Sequence, residues 1–362
     1  MTIRVIGMIG VTPPSGEASL HVIEGGLSPG YLTQFAKAHD DAGFDLVLVG
    51  YTSSSAEGFL VACHAAAQTK QLGFLVAHRP GFVAPTLMAR KIATFDHLTN
   101  GRLAVHIITG KTDEEQQGDG DFSPKVERYR RASEYLELMK LTWANDKPFD
   151  FSGEFYRVKG AASDVRPLQQ PHPPLFFGGA SDGALEMGAK LCDTYAIYAE
   201  PLASTRERIA DFRKRAAVFG RNPGFNISLR PIIADREGDA WDKANRILAQ
   251  MTGKKGWSRQ ENAAGPVDNA GRRLMSFADQ DVHDERLWMP ITRVTGALGN
   301  TSCLVGTPEQ VAEAMLKYYG LGVDSFLIRG FDPMNDAVEF GHELIPRLKA
   351  GALEIDKRRA AE

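Results

Sequence analysis

Four stretches bring together residue types that can do chemistry. The first, Ile107-Ile108-Thr109-Gly110, places a small hydroxyl and a glycine at the end of an apolar run. Thr109 can hydrogen-bond a planar cofactor there, and a plain strand-ending turn would read the same. The second, Phe176-Phe177-Gly178-Gly179-Ala180-Ser181-Asp182, ends another apolar run and opens a helix. Its glycines let a backbone approach closely, and Ser181 offers a hydroxyl and an amide where the helix dipole favours an anion. That is a phosphate site in outline, although an ordinary N-cap at Ser181 or Asp182 has the same sequence. The third, Lys125-Val126-Glu127-Arg128-Tyr129-Arg130, lies on a predicted helix, where the plain alternative is a solvated face with Tyr129 packed inward. The fourth, His78-Arg79-Pro80, directly follows a predicted strand. His106 falls inside a strand, a position that fits a satisfied core histidine.

Other chemistries lack their residues. None of the nine histidines is paired at metal-ligand spacing, and the three cysteines, Cys63, Cys192 and Cys303, are odd in number and far apart. They suit reduced thiols in a cytoplasm rather than a disulfide or metal framework. No Ser-His-Asp order with a nucleophile elbow is visible, so catalysis by a bound cofactor is the simpler account. The net charge is −3 with a pI near 6.3, and Lys and Arg are scattered, which argues against nucleic acid or an anionic membrane as partner. A small soluble molecule is the expected partner. The N-terminal MTIRVIGMIGV carries one basic residue and no small-residue cleavage site, so a secretory leader is not expected. Nor is a membrane span, since no apolar window is long enough.

The elements that must position these residues follow from the apolar pattern. Eight strand-length runs recur at 3–9, 45–49, 72–77, 103–108, 174–178, 194–198, 226–233 and 324–328. Each is nearly continuous in Val, Ile, Leu and Phe, as strands buried on both faces are. Helical stretches separate them at 31–42, 56–68, 85–97, 124–144, 182–191, 202–219, 237–252 and 307–320, with a closing helix near 335–349. This alternation predicts a parallel α/β fold, a (β/α)8 TIM barrel, with reactive groups at the C-terminal strand ends. A doubly wound sheet shares the alternation, but Gly7-Met8-Ile9-Gly10 lacks the third glycine of a dinucleotide fingerprint and no helix follows at once. Thr307-Pro308-Glu309-Gln310 reads as a helix start. One domain over residues 1–362 is expected, with insertions at about 145–173 and 253–303 on the active-site side, the second as a mobile lid.

Several phrases in order along residues 30–345 resemble the bacterial luciferase-like flavin-dependent monooxygenases, most closely the alkanesulfonate monooxygenase branch. They are Phe74-Leu75-Val76-Ala77 with Arg79-Pro80, Ala84-Pro85-Thr86, Ala89-Arg90, Ala93-Thr94 with Asp96, and Asn100-Gly101-Arg102 before Ile108-Thr109-Gly110. Gly118-Asp119-Gly120, Glu127-Arg128-Tyr129, Gln170-Pro171, Pro173-Pro174, Phe177-Gly178-Gly179 with Ser181-Asp182, and Leu304-Val305-Gly306 continue the match. The resemblance implies a (β/α)8 barrel that takes reduced FMN from a separate NAD(P)H-dependent flavin reductase and uses O2 as co-substrate. It implies a homodimer or homotetramer. By motif, Thr109 lies beside the isoalloxazine ring, Tyr129 reaches the ribityl phosphate, and Gly179, Ala180 and Ser181 bind the phosphate. Lys125 stands where the family often has His.

The substrate side departs from that pattern. Arg230-Pro231-Ile232 keeps the family's strand-seven Arg and lacks its His, and Phe331-Asp332-Pro333 replaces a Tyr-Xaa-His. Ser55 stands in place of a cysteine, and Pro13-Pro14 in place of an early histidine. Oxygenation of a sulfonate or carbonyl carbon needs groups that hold an anion and move protons. Arg230 is the expected anion clamp, Arg329 and Arg293 its helpers, and His78 and Asp332 the expected acid or base groups. Ser55 and Phe331 complete the expected substrate site. The expectation is a two-component FMNH2-dependent monooxygenase acting on a substrate other than a simple alkanesulfonate. A sulfonate or related organosulfur compound cleaved at C–S is the leading class, with a deazaflavin-dependent hydride-transfer enzyme or a non-catalytic flavin-binding protein as alternatives.

Overall fold

A computed structural model describes residues 3–14, 18–20, 25–110, 112–252 and 268–361. Eight parallel strands close into a barrel: β1 (Arg4–Met8), β2 (Leu46–Val49), β3 (Gly73–His78), β4 (Leu103–Ile107), β5 (Leu175–Phe177), β6 (Thr194–Tyr198), β7 (Gly224–Ile233) and β8 (Ser325–Ile328). Each pairs with its neighbours in order, and β8 returns to β1, so the fold is a (β/α)8 TIM barrel. The eight strands are those the apolar runs predict.

The strands are apolar throughout because each face meets a different hydrophobic layer. Outward residues such as Val5, Val47, Phe74, Val76 and Val105 join the large core beneath the helices. Inward residues Ile6, Leu46, Leu75, Ala104 and Phe176 fill the barrel's interior. Side chains alternate between those layers at every step along a strand. The helical ring is α1 (Pro29–Asp41), α2 (Gly58–Ala66), α3 (Pro85–Leu98), α4 (Lys125–Ala144), α5 (Asp182–Leu191), α6 (Leu202–Ala217), α7 (Glu237–Thr252) and α8 (Pro308–Gly320). After β8 come α9 (Pro333–Glu339) and α10 (Ile345–Ala361), joined through a π-helical turn at Phe340–Leu344. At the start of α8, Thr307 and Gln310 form a capping box around Pro308, as that sequence predicts.

Both insertions carry secondary structure of their own, and the second, as expected, supplies residues such as Asn269 and Asn300 to the cavity at the barrel's C-terminal end. Residues 145–173 contain an antiparallel hairpin, Phe149–Ser152 with Arg157–Ala161. It packs on the outer side of α4, where the Glu134 carboxylate accepts from the backbone amides of Glu154, Phe155 and Tyr156. In the second insertion, residues 253–267 lie outside the described residues. The remainder is ordered by burial: a helix at Asn269–Met275, a short hairpin (Val282–His283 with Leu287–Trp288), a helix at Pro290–Thr295 and a strand at Cys303–Gly306. Leu274, Leu287, Met289 and Ile291 are fully buried there. This unit builds on β7, whose residues Asn226–Leu229 pair with β8 while Arg230–Ile233 run past the barrel and pair with Cys303–Gly306.

Among the described residues no helix is long and apolar enough to cross a membrane. Among the same residues no group of three or more His, Cys, Asp or Glu could hold a metal ion.

Candidate active site

A cavity of about 470 Å³ opens at the C-terminal end of the barrel, within the size range of small-molecule and cofactor sites. Its β4–β5 side carries Thr109, Lys125, Tyr129, Gly179, Ala180 and Ser181. The structure thus brings these six sequence-selected residues to one wall. Arg128, nearly fully buried, ties that wall together: Nε donates to the Thr109 carbonyl at 3.0 Å, and Nη1 to Asp113 Oδ1 at 2.8 Å and the Ser123 carbonyl at 2.7 Å. Strand end and helix start are therefore held in register, which places Thr109 beside Lys125 and Tyr129.

Ser181 occupies the N-cap position of α5, yet its side chain makes no capping hydrogen bond. Its Oγ is buried and has no partner. An unpaired buried hydroxyl is costly unless something else fills the site, so an ordinary cap does not account for this serine. Gly179 has a simpler cause. A Cβ there would stand 2.7 Å from the Phe177 ring and 2.9 Å from Ala184, so close packing of β5 on α5 requires glycine.

Residues after β3 show how alternation sorts neighbours. Leu75, Ala77 and Arg79 line the cavity, whereas Phe74, Val76 and His78 face the helices. His78 is buried against Phe59 and Tyr135, its Nε2 3.0 Å from the Tyr135 hydroxyl, and burial pushes its pKa down to about 3. The expectation that His78 serves as a pocket acid or base is corrected, because it points out of the barrel. Arg79 takes its place at the rim: Nη2 pairs with Glu115 at 2.6 Å, Nη1 with Asp119 at 3.4 Å, and the guanidinium lies 4.4 Å from the centre of the Tyr51 ring. It fastens the short helix Asp113–Gly118 over the loop after β2.

The other substrate-side expectations divide. Arg329 lines the cavity, its Nε donating to Asn300 Oδ1 at 2.7 Å. Arg230 does not line it. Its side chain is fully buried and donates to the carbonyls of Asn300 (2.9 Å), Gly330 (2.6 Å), Ser19 (3.3 Å) and Leu20 (3.1 Å). The guanidinium also lies 4.7 Å over the ring of Phe331, which is buried outside the cavity wall. The cause is the course of β7: at Arg230 the strand leaves the barrel, and the side chain is enclosed where the outer sheet begins. Asp332 stands at the N-cap position of α9 without making a capping hydrogen bond, its carboxylate accepting from the Asn335 side-chain amide, and is not in the cavity wall. Ser55 turns away, its Oγ donating to the Thr52 carbonyl at 2.9 Å, while Tyr51 and Thr52 face the cavity. Arg293 is spent on the Ala278 carbonyl and Asp281. Pro13 and Pro14 are likewise absent from the wall.

Several cavity residues carried no sequence signal. His106 lines the cavity rather than sitting satisfied in the core; its Nδ1 is buried without a partner, and burial lowers its pKa to about 4. Ser228 also lines the wall with a buried, unpartnered Oγ. Tyr198 lines it too, its pKa pushed up to about 12 by burial. Asn226 and Asn300 complete this polar side, opposite an apolar side of Met8, Leu48, Leu75 and Ala77. Strand-end reasoning could have found Tyr198, as it did Arg329, but the inward parity of His106 and Ser228 needs the register.

Residues 8–325 match the family described as luciferase-like monooxygenase. Among solved structures, riboflavin lyase RcaE, determined with modified FMN and substrate riboflavin, matches with TM-score 0.77 at 18% identity, over 97% of this chain and 92% of that one. EDTA monooxygenase EmoA from Chelativorans sp. BNC1 matches with TM-score 0.75 at 18% identity, over 97% and 94%. An F420-dependent secondary alcohol dehydrogenase in complex with an F420-acetone adduct matches with TM-score 0.68 at 16% identity, over 96% and 99%. At such identities the structural likeness establishes the barrel fold, and the family match goes further. The chain belongs to the luciferase-like monooxygenase family, and its enzyme class is that of a flavin-dependent monooxygenase.

Proposed function

We propose that this chain is the oxygenating component of a two-component system in the alkanesulfonate monooxygenase branch of its family. In this reading it binds reduced FMN delivered by a separate NAD(P)H-dependent flavin reductase and oxygenates a small organosulfur compound or sulfonate with C–S cleavage. The observation that carries it is Ser181: an uncapped, unpartnered hydroxyl at the N-terminus of a ten-residue helix, on one wall with Thr109, Lys125 and Tyr129. A phosphate monoester meets the needs of that hydroxyl and of the helix end together.

Thr109, Lys125, Tyr129, Gly179, Ala180 and Ser181 are the residues that hold the FMN. When bound, reduced FMN supplies the electrons that activate O2. The protein's own part is to seat, orient and shield. Arg79 pins the short helix Asp113–Gly118 against the loop after β2, narrowing access to the rim. Met8, Leu48, Leu75 and Ala77 give the interior an apolar side that excludes water. Tyr198 keeps its proton across the physiological range and serves as a neutral donor. Cytoplasmic localisation and a homodimer or homotetramer complete the proposal.

Titration with FMN, oxidised and reduced, should give a saturable complex. Incubation with a flavin reductase, NADH, FMN and candidate organosulfur substrates under air should then release sulfite. Absence of any FMN complex in both redox states would sink the reading. Because an F420-dependent enzyme shares the barrel, the same titration with F420 is the control: tighter binding of the deazaflavin would move the chain to hydride transfer.

A further inference from the structure

The polar groups of the cavity interior are unevenly placed around the barrel. In the order β8-β1-β2-β3-β4, β8 and β4 are four steps apart in a closed ring of eight, so they face each other across the interior. Arg329 directly follows β8 and His106 lies on β4, both lining the cavity. Between them, on β1 to β3, the wall is apolar.

Arg329 is a cation in want of an anion. Among the described residues no carboxylate pairs with it; Nε is held by Asn300, and Nη1 approaches only the Met8 sulfur at 2.9 Å. Gly299, with φ +77°, keeps the space beside Nη2 open, since a Cβ there would stand 3.4 Å from that nitrogen. The buried guanidinium of Arg230 lies close enough to repel it, so two positive charges sit at the β7–β8 end. Arg230 has spent its donors on carbonyls, which leaves Arg329 as the one that can receive a ligand. A partly buried, unpaired guanidinium is expensive, and an anionic ligand relieves that cost.

His106 supplies the opposite pole. Its Nδ1 is buried with no acceptor in reach, and a buried N–H without a partner costs more than a buried lone pair. The proton therefore belongs on Nε2, the nitrogen nearest Gly178, where a Cβ would stand 3.8 Å away. A neutral imidazole presents that N–H as a fixed donor to whatever fills the interior.

We infer that the substrate is an anion carrying a second, uncharged oxygen acceptor, bound across the barrel with its charged group on Arg329 and the acceptor on His106 Nε2–H. This deepens the proposed function and rests on reading the cavity as that enzyme's site. It separates the handle from the reacting end, because the wall at Thr109 and Ser181 adjoins His106 and lies across from Arg329. Simple alkanesulfonates, which lack the second acceptor, use only one pole.

The test is calorimetric titration of the full-length protein, flavin-free and saturated with FMN. The probes are pentanoate, pentan-2-one and the keto acids 4-oxopentanoate, 5-oxohexanoate and 6-oxoheptanoate. The expected result is that at least one keto acid binds about tenfold tighter than pentanoate and more than tenfold tighter than the ketone. Arg329→Met should abolish the advantage of charge and His106→Phe the advantage of the keto group, with His106→Asn restoring part of it. FMN affinity should stay within twofold of wild type in all three. Nitrogen-15 spectra should show His106 protonated on Nε2. Equal affinity for keto acids and pentanoate throughout the series would overturn the inference, as would an Arg329→Met protein that keeps its preference for anions. Loss of FMN affinity in His106→Phe would assign the imidazole to the cofactor instead and overturn it too. A wild-type protein that binds keto acids but no FMN would defeat the proposed function and leave this subsite standing.

Discussion

At the scale of single residues, side chains with leftover hydrogen-bonding capacity separate the cavity from the packing. Ser181 Oγ has no partner, so removing it costs the fold little and the ligand much. Ser181→Ala should weaken FMN binding by about 1.5–3 kcal/mol, the range for a hydrogen bond to a charged group, or roughly 10- to 100-fold in Kd by fluorescence titration. Its thermal midpoint without ligand should be unchanged. Arg230 behaves in the opposite way. Its donors satisfy four carbonyls around the junction of β7 with the outer sheet, and truncation strands those acceptors in a dry interior. Arg230→Met should lower unfolding stability by about 2–4 kcal/mol in urea and leave the FMN affinity of the folded fraction near wild type. An Arg230 variant of full stability that had lost anion binding alone would restore this residue to the substrate site.

At the scale of elements, β1 shows how one residue sets the spacing of strand and helix. Gly7 faces outward onto the buried His39 of α1, and a Cβ at Gly7 would stand 2.4 Å from the His39 ring. The glycine that looked like part of an incomplete dinucleotide motif is thus a packing residue. Gly7→Ala should displace that ring, break the 2.9 Å bond between His39 Nδ1 and the Phe35 carbonyl, and cost about 1–3 kcal/mol as overpacking does. Denaturant midpoints of the variant against wild type check this. Element order, helix starts and strand lengths were legible because each is a local property of apolar period and capping. The order within residues 268–303 was not legible. That stretch shows no sustained apolar period, and its short helices and hairpin exist because Leu274, Leu287, Met289 and Ile291 are buried on a neighbouring layer.

For the whole molecule, burial of neutral histidines makes stability depend on pH. His39, lowered to about 4, and His78, lowered to about 3, are both shifted mainly by desolvation. Between those values and the ordinary 6.5 the unfolded chain binds more protons than the folded one, so stability falls as pH falls. The loss should reach about 1.6 kcal/mol from each histidine on going from pH 6.5 to 5. Asp324 and Asp336, raised by burial, act the other way just above the ordinary carboxylate range. Urea unfolding at pH 7, 6 and 5 should show the decline, and His39→Gln should flatten it. A stability that is constant over that range would show that these rings are protonated in the fold.

The chain's own pattern determined the closed parallel barrel, because strands buried on both faces are recognisable one at a time. It also singled out Thr109 and Ser181, since glycine, hydroxyl and helix-start signals are local, whereas Lys125 and Tyr129 were named only through the family resemblance. Which side chains turn inward was decided only by the tertiary structure. Register sends Arg79 and His106 into the cavity and His78 out of it, and a single step along a strand reverses that choice. The course of β7 past the barrel decided that Arg230 holds the fold together while Arg329, one strand over, is left with its charge unpaired among the described residues.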